Sequence, residues 1–204
     1  MKKQTLYMIG LATLLASATQ AQEQLGKSMQ QARAETARTS EQLKATLSAL
    51  NVLTGQIQGD LRPSYNTFAA AVTNTVSAAA TTAARVQWMD GDGQKYFKDW
   101  QDSITGIANQ SLRKKSQKRL EAVRADFDKV NKELKEASVK FKPFLSDLSD
   151  VQKTLAADTT AAGVKAVRST VKSANWNYQS VDRAINSALK EMDKMGKALS
   201  PEAK

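Results

Sequence analysis

The stretch Ser111-Leu-Arg-Lys-Lys-Ser-Gln-Lys-Arg119 carries five cations and no acid. If a helix starts here, its free backbone N–H groups and these side chains can together hold a phosphate or carboxylate. Asn109 or Ser111 can cap such a helix. Arg113, Lys114 and Lys115 then occupy the first turn, where the helix macrodipole disfavours each cation by roughly a few tenths of a kcal/mol. That local conflict points to a bound anion. The plainer reading is a solvated face: Lys114, Lys115 and Lys118 fall on outer positions. Farther along, Lys129–Glu133, Lys132–Glu136 and Glu136–Lys140 are opposite charges four residues apart, as on any exposed helix. The candidate anion-binding patch is therefore Arg113, Lys114, Lys115, Lys118 and Arg119, with both readings open.

Other chemistries lack their residues. The chain has no histidine and no cysteine. Histidine is the commonest general base, and both residues are the favoured zinc ligands. Disulfides and thiol catalysis are excluded. Asp90-Gly-Asp92-Gly-Gln94 faintly resembles a calcium loop, but Lys95 stands where such loops need glycine and Gln101 where they need glutamate. No glycine-rich phosphate loop is present: Gly91 and Gly93 lack the strand and lysine context. Asp126 and Asp128 face different sides of a helix, with Lys129 and Lys132 near, and make no acid/base couple. No catalytic residue, metal site or cofactor is expected, and the chain reads as a non-enzyme.

What must position the basic stretch is a set of helices. Apolar side chains recur in steps of three and four along almost the whole chain. Leu25, Met29, Ala32, Thr36, Thr39, Leu43, Thr46, Leu50, Leu53 and Ile57 form one seam, polar in its first half. Gly55, Gly59 and Asp60 end that helix, and Pro63 suits the first turn of the next. Tyr65, Phe68, Val72 and Val76 follow among many small residues. Met89-Asp-Gly-Asp-Gly93 reads as a loop. Tyr96, Phe97, Trp100, Ile104 and Ile107 then share one face of a short aromatic helix. A long stripe runs from Leu112 to Leu155, with Pro143 expected to kink or interrupt it near Phe141. Asp158-Thr-Thr160 caps the last helix, whose Val164-to-Leu199 stripe fills every a and d position for five heptads. The spacing predicts helices over about 22–58, 64–88, 94–108, 111–157 and 160–199. The fold class is all-α: one elongated antiparallel helical bundle with coiled-coil character, spanning 22–204. Trp176 falls opposite the Val171/Ala174/Tyr178 stripe. It either docks a partner or is buried by a further helix; burial is expected, with the aromatic helix as its neighbour. Trp100 and Trp176 are the candidate partner-docking or structural residues.

The N-terminus reads as an export signal. Lys2 and Lys3 precede an apolar run, Leu6 to Leu15, too short to span a bilayer. Ala16-Ser17-Ala18 fits the small-x-small cleavage rule. Cleavage after Ala21 is preferred, because it leaves a short polar region before the cut, and makes 1–21 the signal peptide. Without a cysteine to carry lipid, the exported chain is not a lipoprotein, and the expected location is the periplasm. Charge is uneven: residues 22–110 balance eight bases with eight acids, whereas 111–142 carry eleven bases against five acids. Such a field attracts anionic partners. An exported protein rarely meets nucleic acid, so a lipid headgroup, lipopolysaccharide, polysaccharide or acidic protein fits better. The polar seam of residues 25–39 is a further candidate surface, for self-association, because polar seams are often completed by another chain.

At Trp100, Asn109-Gln-Ser-Leu-Arg113, Ser116, Pro143-Phe-Leu145, Asp150 and Leu155 the chain resembles a bacterial helical family known as domain of unknown function 2959. Its members share a similar tryptophan, an Asn-x-Ser-Leu-Arg stretch with a serine three residues on, and a Pro-x-Leu followed by aspartate. The likeness covers roughly residues 22–200. This chain departs from the family after Asp150: it has Thr154-Leu-Ala-Ala-Asp-Thr-Thr160 where Leu-Lys-His-Asn-Leu-Asn is common. The resemblance implies an exported helical protein and brings no catalytic residues. It also implies that Ser-Leu-Arg does more than carry charge, with Arg113 pinning the aromatic helix to the long one. The reading is an exported, non-enzymatic scaffold or interaction protein of the envelope, acting through a protein partner or self-association. The alternative is peripheral binding to an anionic envelope surface through the basic stretch.

Overall fold

The computed structural model describes residues 2–56 and 58–199, with side chains from Thr19 onward. Five helices follow in order: α1 (Lys2–Gly55), α2 (Arg62–Thr105), α3 (Gln110–Ala157), α4 (Ala161–Ala166) and α5 (Arg168–Leu199). No strand occurs among the described residues, so the chain is all-α. The expected signal segment 1–21 falls mostly on residues whose side chains lie outside those described.

The helix ends follow from local chemistry. Past α1, Gly59 takes a φ of 89°, a left-handed conformation that glycine adopts without steric cost. The Asp60 carboxylate then accepts the Arg62 backbone N–H at 3.0 Å and the Arg62 guanidinium at 2.9 Å. Pro63 sits in the first turn, where its missing N–H has no helical partner to lose. At the start of α4, the Thr160 hydroxyl accepts the Gly163 N–H. A β-carbon on Gly163 would sit 2.0 Å from the Asp158 carbonyl oxygen, so this close approach needs glycine. The expected single helix over 160–199 is interrupted at one residue, Val167, between α4 and α5.

The expected loop at Met89–Gly93 is helical instead, and α2 runs unbroken to Thr105. Tertiary packing overrides the turn preference of Asp-Gly-Asp-Gly. Met89 is fully buried. The Asp90 carboxylate accepts from Asn131 on α3 at 2.9 Å, and Asp92 accepts from Gln24 on α1 at 3.3 Å. Gly93 lies directly under the Phe127 ring. Pro143 likewise sits inside an uninterrupted α3. It cannot donate to the Val139 carbonyl, and Val139 is exposed, so water can satisfy that oxygen.

The chain divides into two compact units. The first takes α1 up to Arg33, α2 from Ala84, α3 up to Asn131 and α5 from Lys190. Leu25, Met29, Met89, Phe127, Met192 and Met195 are among its buried residues. Phe97 and Phe127 meet edge-on at 5.5 Å. Polar pairs cross between helices at its rim: the Arg33 guanidinium forks onto Asp193, and Lys194 reaches Asp126 at 2.8 Å.

The second unit comprises residues 34–83 and 132–189. Leu43, Leu50, Phe68, Phe144, Leu148 and Val181 anchor its core. The α5 stripe packs as its heptads predict: Ala174 and Val181 are fully buried, and the Tyr178 ring meets Phe144 at a tilt, with centroids 6.0 Å apart. Between α1 and α2 runs a threonine seam. Thr39 pairs with Thr82 at 2.9 Å and Thr46 with Thr75 at 2.7 Å. As α1 numbers rise the α2 partners fall, which marks antiparallel packing. Thr36, Thr39, Thr46 and Thr75 are all buried. At Thr39 and Thr46 the polar seam of α1 is therefore met by α2, and the Thr36 side chain is buried as well.

Candidate anion-binding surface and adjoining cleft

The turn between α2 and α3 sets up the basic stretch. The Gly106 and Ile107 N–H groups donate to the Ser103 and Ile104 carbonyls, closing α2 with a tightened last turn. Asn109, rather than Ser111, caps α3: its side-chain oxygen accepts the Leu112 N–H at 3.1 Å. The Arg113 Nε–H reaches back to the Ile107 carbonyl at 2.9 Å. This bond ties the start of α3 to the turn that follows the aromatic segment of α2.

Arg113, Lys114, Lys115, Lys118 and Arg119 are all exposed. None is in an ion pair among the described residues. Several other cations in the same unit are paired: Lys98 with Asp102, Lys194 and Lys129 with Asp126, Arg33 with Asp193. Hydrogen bonding to Lys194, and then to Lys129, holds the Asp126 carboxyl below its ordinary range. Asp126 is thus held as an anion between two lysines. Leu112 stands in the middle of the basic stretch and is 55% exposed.

Next to this surface lies a cleft of about 310 Å³ within the first unit. Its apolar wall includes Tyr96, Trp100, Ile104 and Ile107, the face that sequence spacing groups together. Its polar wall includes Gln22, Ser116 and Arg119. Trp100 is half-buried, and its Nε1–H donates to the Ser116 hydroxyl at 3.2 Å. The Tyr96 and Trp100 rings are 5.5 Å apart. Burial pushes the Tyr96 hydroxyl up to about 12, against a smaller opposing pull from the Arg119 charge. The tyrosine is therefore neutral at ordinary pH, and the guanidinium field reaches the aromatic wall.

Sequence reasoning groups the five cations and the aromatic face separately, and does not bring Arg119 to the aromatic face in one cleft. The available signal is Trp100 and Ser116, whose side chains are bonded across the turn. Trp176 corrects an expectation: it is 69% exposed, not buried against the aromatic helix. It lies in the second unit, whereas the aromatic segment belongs to the first, and no described helix covers it. Trp88, missed in the sequence, is also exposed, with the Arg85 guanidinium 4.7 Å over its ring. Among the described residues, no three His, Cys, Asp or Glu side chains come together as a metal would need. No described helix is long and apolar enough to cross a membrane.

The family model described as "Protein of unknown function (DUF2959)" matches residues 16–199. No curated protein and no solved structure matches the chain.

Proposed function

The chain belongs to the DUF2959 family, and we propose that it is an exported, non-enzymatic helical interaction protein of the bacterial envelope that docks on an anionic surface through the start of α3. One observation carries this reading. Arg113, Lys114, Lys115, Lys118 and Arg119 stand exposed within seven residues at one helix start, without a carboxylate partner among the described residues, whereas Lys98, Lys129 and Lys194 of the same unit each find one. Unpaired cations crowded at a helix start repel each other and the macrodipole, and a bound anion relieves both. Exposed Leu112 supplies an apolar foot for the headgroup boundary.

Export rests on Lys2, Lys3, the apolar run Leu6–Leu15 and the small residues after it. Ala21 is only 5% exposed, and the Gln22 side chain donates to the Leu199 carbonyl at 2.8 Å. Burial of Ala21 favours cleavage at Ala16-Ser17-Ala18 over cleavage after Ala21, because the earlier cut leaves this packing intact. The mass of the protein recovered from the periplasm distinguishes the two cuts.

The test of docking is co-sedimentation with phosphatidylglycerol-containing vesicles. The full chain should pellet with anionic vesicles at low salt, release as salt rises, and ignore neutral phosphatidylcholine. Reversing Lys114, Lys115 and Lys118 to glutamate should abolish pelleting and leave helicity unchanged. A wild-type chain that stays in the supernatant at low salt overturns the proposal. Trp176 supports a second reading, docking of a protein partner, since exposed tryptophans are frequent binding anchors. Trp176→Ser should then lose an envelope partner while vesicle binding persists.

A further inference from the structure

We infer that the cleft between the aromatic segment of α2 and the start of α3 is a binding site for a small organic anion with an apolar body, such as an aromatic sulfonate or a medium-chain carboxylate. Its volume of about 310 Å³ lies at the lower end of the roughly 300–1,000 Å³ typical of small-molecule sites. Such sites combine apolar walls with a few placed polar groups, and this cleft has both.

The walls divide by chemistry. Tyr96, Trp100, Ile104 and Ile107 offer apolar surface for the body of a ligand. Burying that body removes water from both partners, which is favourable in proportion to the apolar area. Arg119 lines the same space and has no carboxylate partner among the described residues. A guanidinium offers donors in a planar fork suited to carboxylate and sulfonate oxygens. Tyr96 stays neutral, so it adds no repulsion toward an anion. Ser116 is engaged by the Trp100 indole at 3.2 Å, which holds the ring in place along the wall. An anion without an apolar body leaves the aromatic wall wet. A neutral apolar molecule leaves Arg119 unmatched. The two halves together select an amphiphile.

This site is separate from the vesicle-docking surface except for Arg119, and the two fail independently. The probe is 1-anilinonaphthalene-8-sulfonate added to the full-length Trp88→Phe/Trp176→Phe variant, which keeps Trp100 as its sole tryptophan. Trp88 and Trp176 are exposed, so both replacements should spare the fold. Saturable energy transfer from Trp100 to the probe is expected, with one probe bound per chain. Decanoate should displace it, whereas sulfate and decanol should not. In the same background Arg119→Gln should weaken binding about tenfold, as loss of a charge-assisted hydrogen bond implies. Lys114→Glu/Lys115→Glu/Lys118→Glu, the reversal expected to remove vesicle docking, should leave probe binding intact. Absent or non-saturable transfer overturns the inference. So does decanol competing as well as decanoate, or Arg119→Gln binding like its parent.

Discussion

Gly91 and Gly93 lie two residues apart in α2, yet replacing each by alanine should change stability in opposite directions. In a helix interior alanine is favoured over glycine by about 0.8–1 kcal/mol, because glycine loses more backbone entropy on folding. At Gly91 an added β-carbon meets nothing within 4 Å, so Gly91→Ala should stabilise by nearly that amount. At Gly93 the added carbon would sit 2.3 Å from the Phe127 Cζ and 2.6 Å from its Cε1. Phe127 is 3% exposed and wedged edge-on against Phe97. Its ring must move by about 1 Å into a packed core, at a cost near the upper part of the roughly 1–3 kcal/mol typical of overpacking. After the helix gain, Gly93→Ala should destabilise by about 1–2 kcal/mol. For a chain of this size the two variants should melt about 4–12 °C apart, followed by circular dichroism. Combining Gly93→Ala with Phe127→Leu should cost less than the two changes separately, since the smaller side chain makes room. A Gly93→Ala protein that melts at or above wild type would refute the close-packing account of the continuous α2.

The threonine seam gives a second prediction. Thr46→Val alone should cost about 1–3 kcal/mol by leaving the buried Thr75 hydroxyl short of its partner at 2.7 Å, and Thr46→Val/Thr75→Val should recover most of that loss in urea melts. Asp126 gives a pH prediction: its folded carboxyl titrates below its unfolded value of about 3.9, so its contribution is complete above that value and fades as pH falls through the folded one. The stability gap between wild type and Asp126→Asn should therefore stay flat from neutral to about pH 5 and close below about pH 4. Arg113→Ala should loosen the α2–α3 turn by about 1 kcal/mol through loss of its bond to the Ile107 carbonyl, seen as faster amide exchange there. Trp176→Ser should leave the melting temperature unchanged, because the side chain is 69% exposed.

Much of the fold was legible because heptad spacing reports burial directly. Leu43, Leu50 and Leu53 on α1, and Ala174, Val181, Ala188 and Met192 on α5, are buried where their a and d positions require. The helix ends at Gly55 and Asp60, and the caps at Asn109 and Thr160, were also readable, since each depends on side chains within a few residues. The misreadings share one cause. Met89–Gly93 has a turn's composition, and its contacts to Gln24, Phe127 and Asn131 come from α1 and α3. Val167 lies in an unbroken stripe that says nothing of a one-residue break.

The sequence by itself determined the helical class, the inward faces, the absence of histidine and cysteine chemistry, and the cation-rich opening of α3. These follow from residue type and from periodicity, which act over one or two turns. Only the tertiary structure decided that the threonines of α1 are satisfied by α2, that Trp176 faces outward, and that Tyr96, Trp100 and Arg119 enclose one cleft. Those outcomes depend on which helix faces which. That choice is made by side-chain volumes and hydrogen-bond partners distant in the chain, and the spacing of residues along one helix does not encode it.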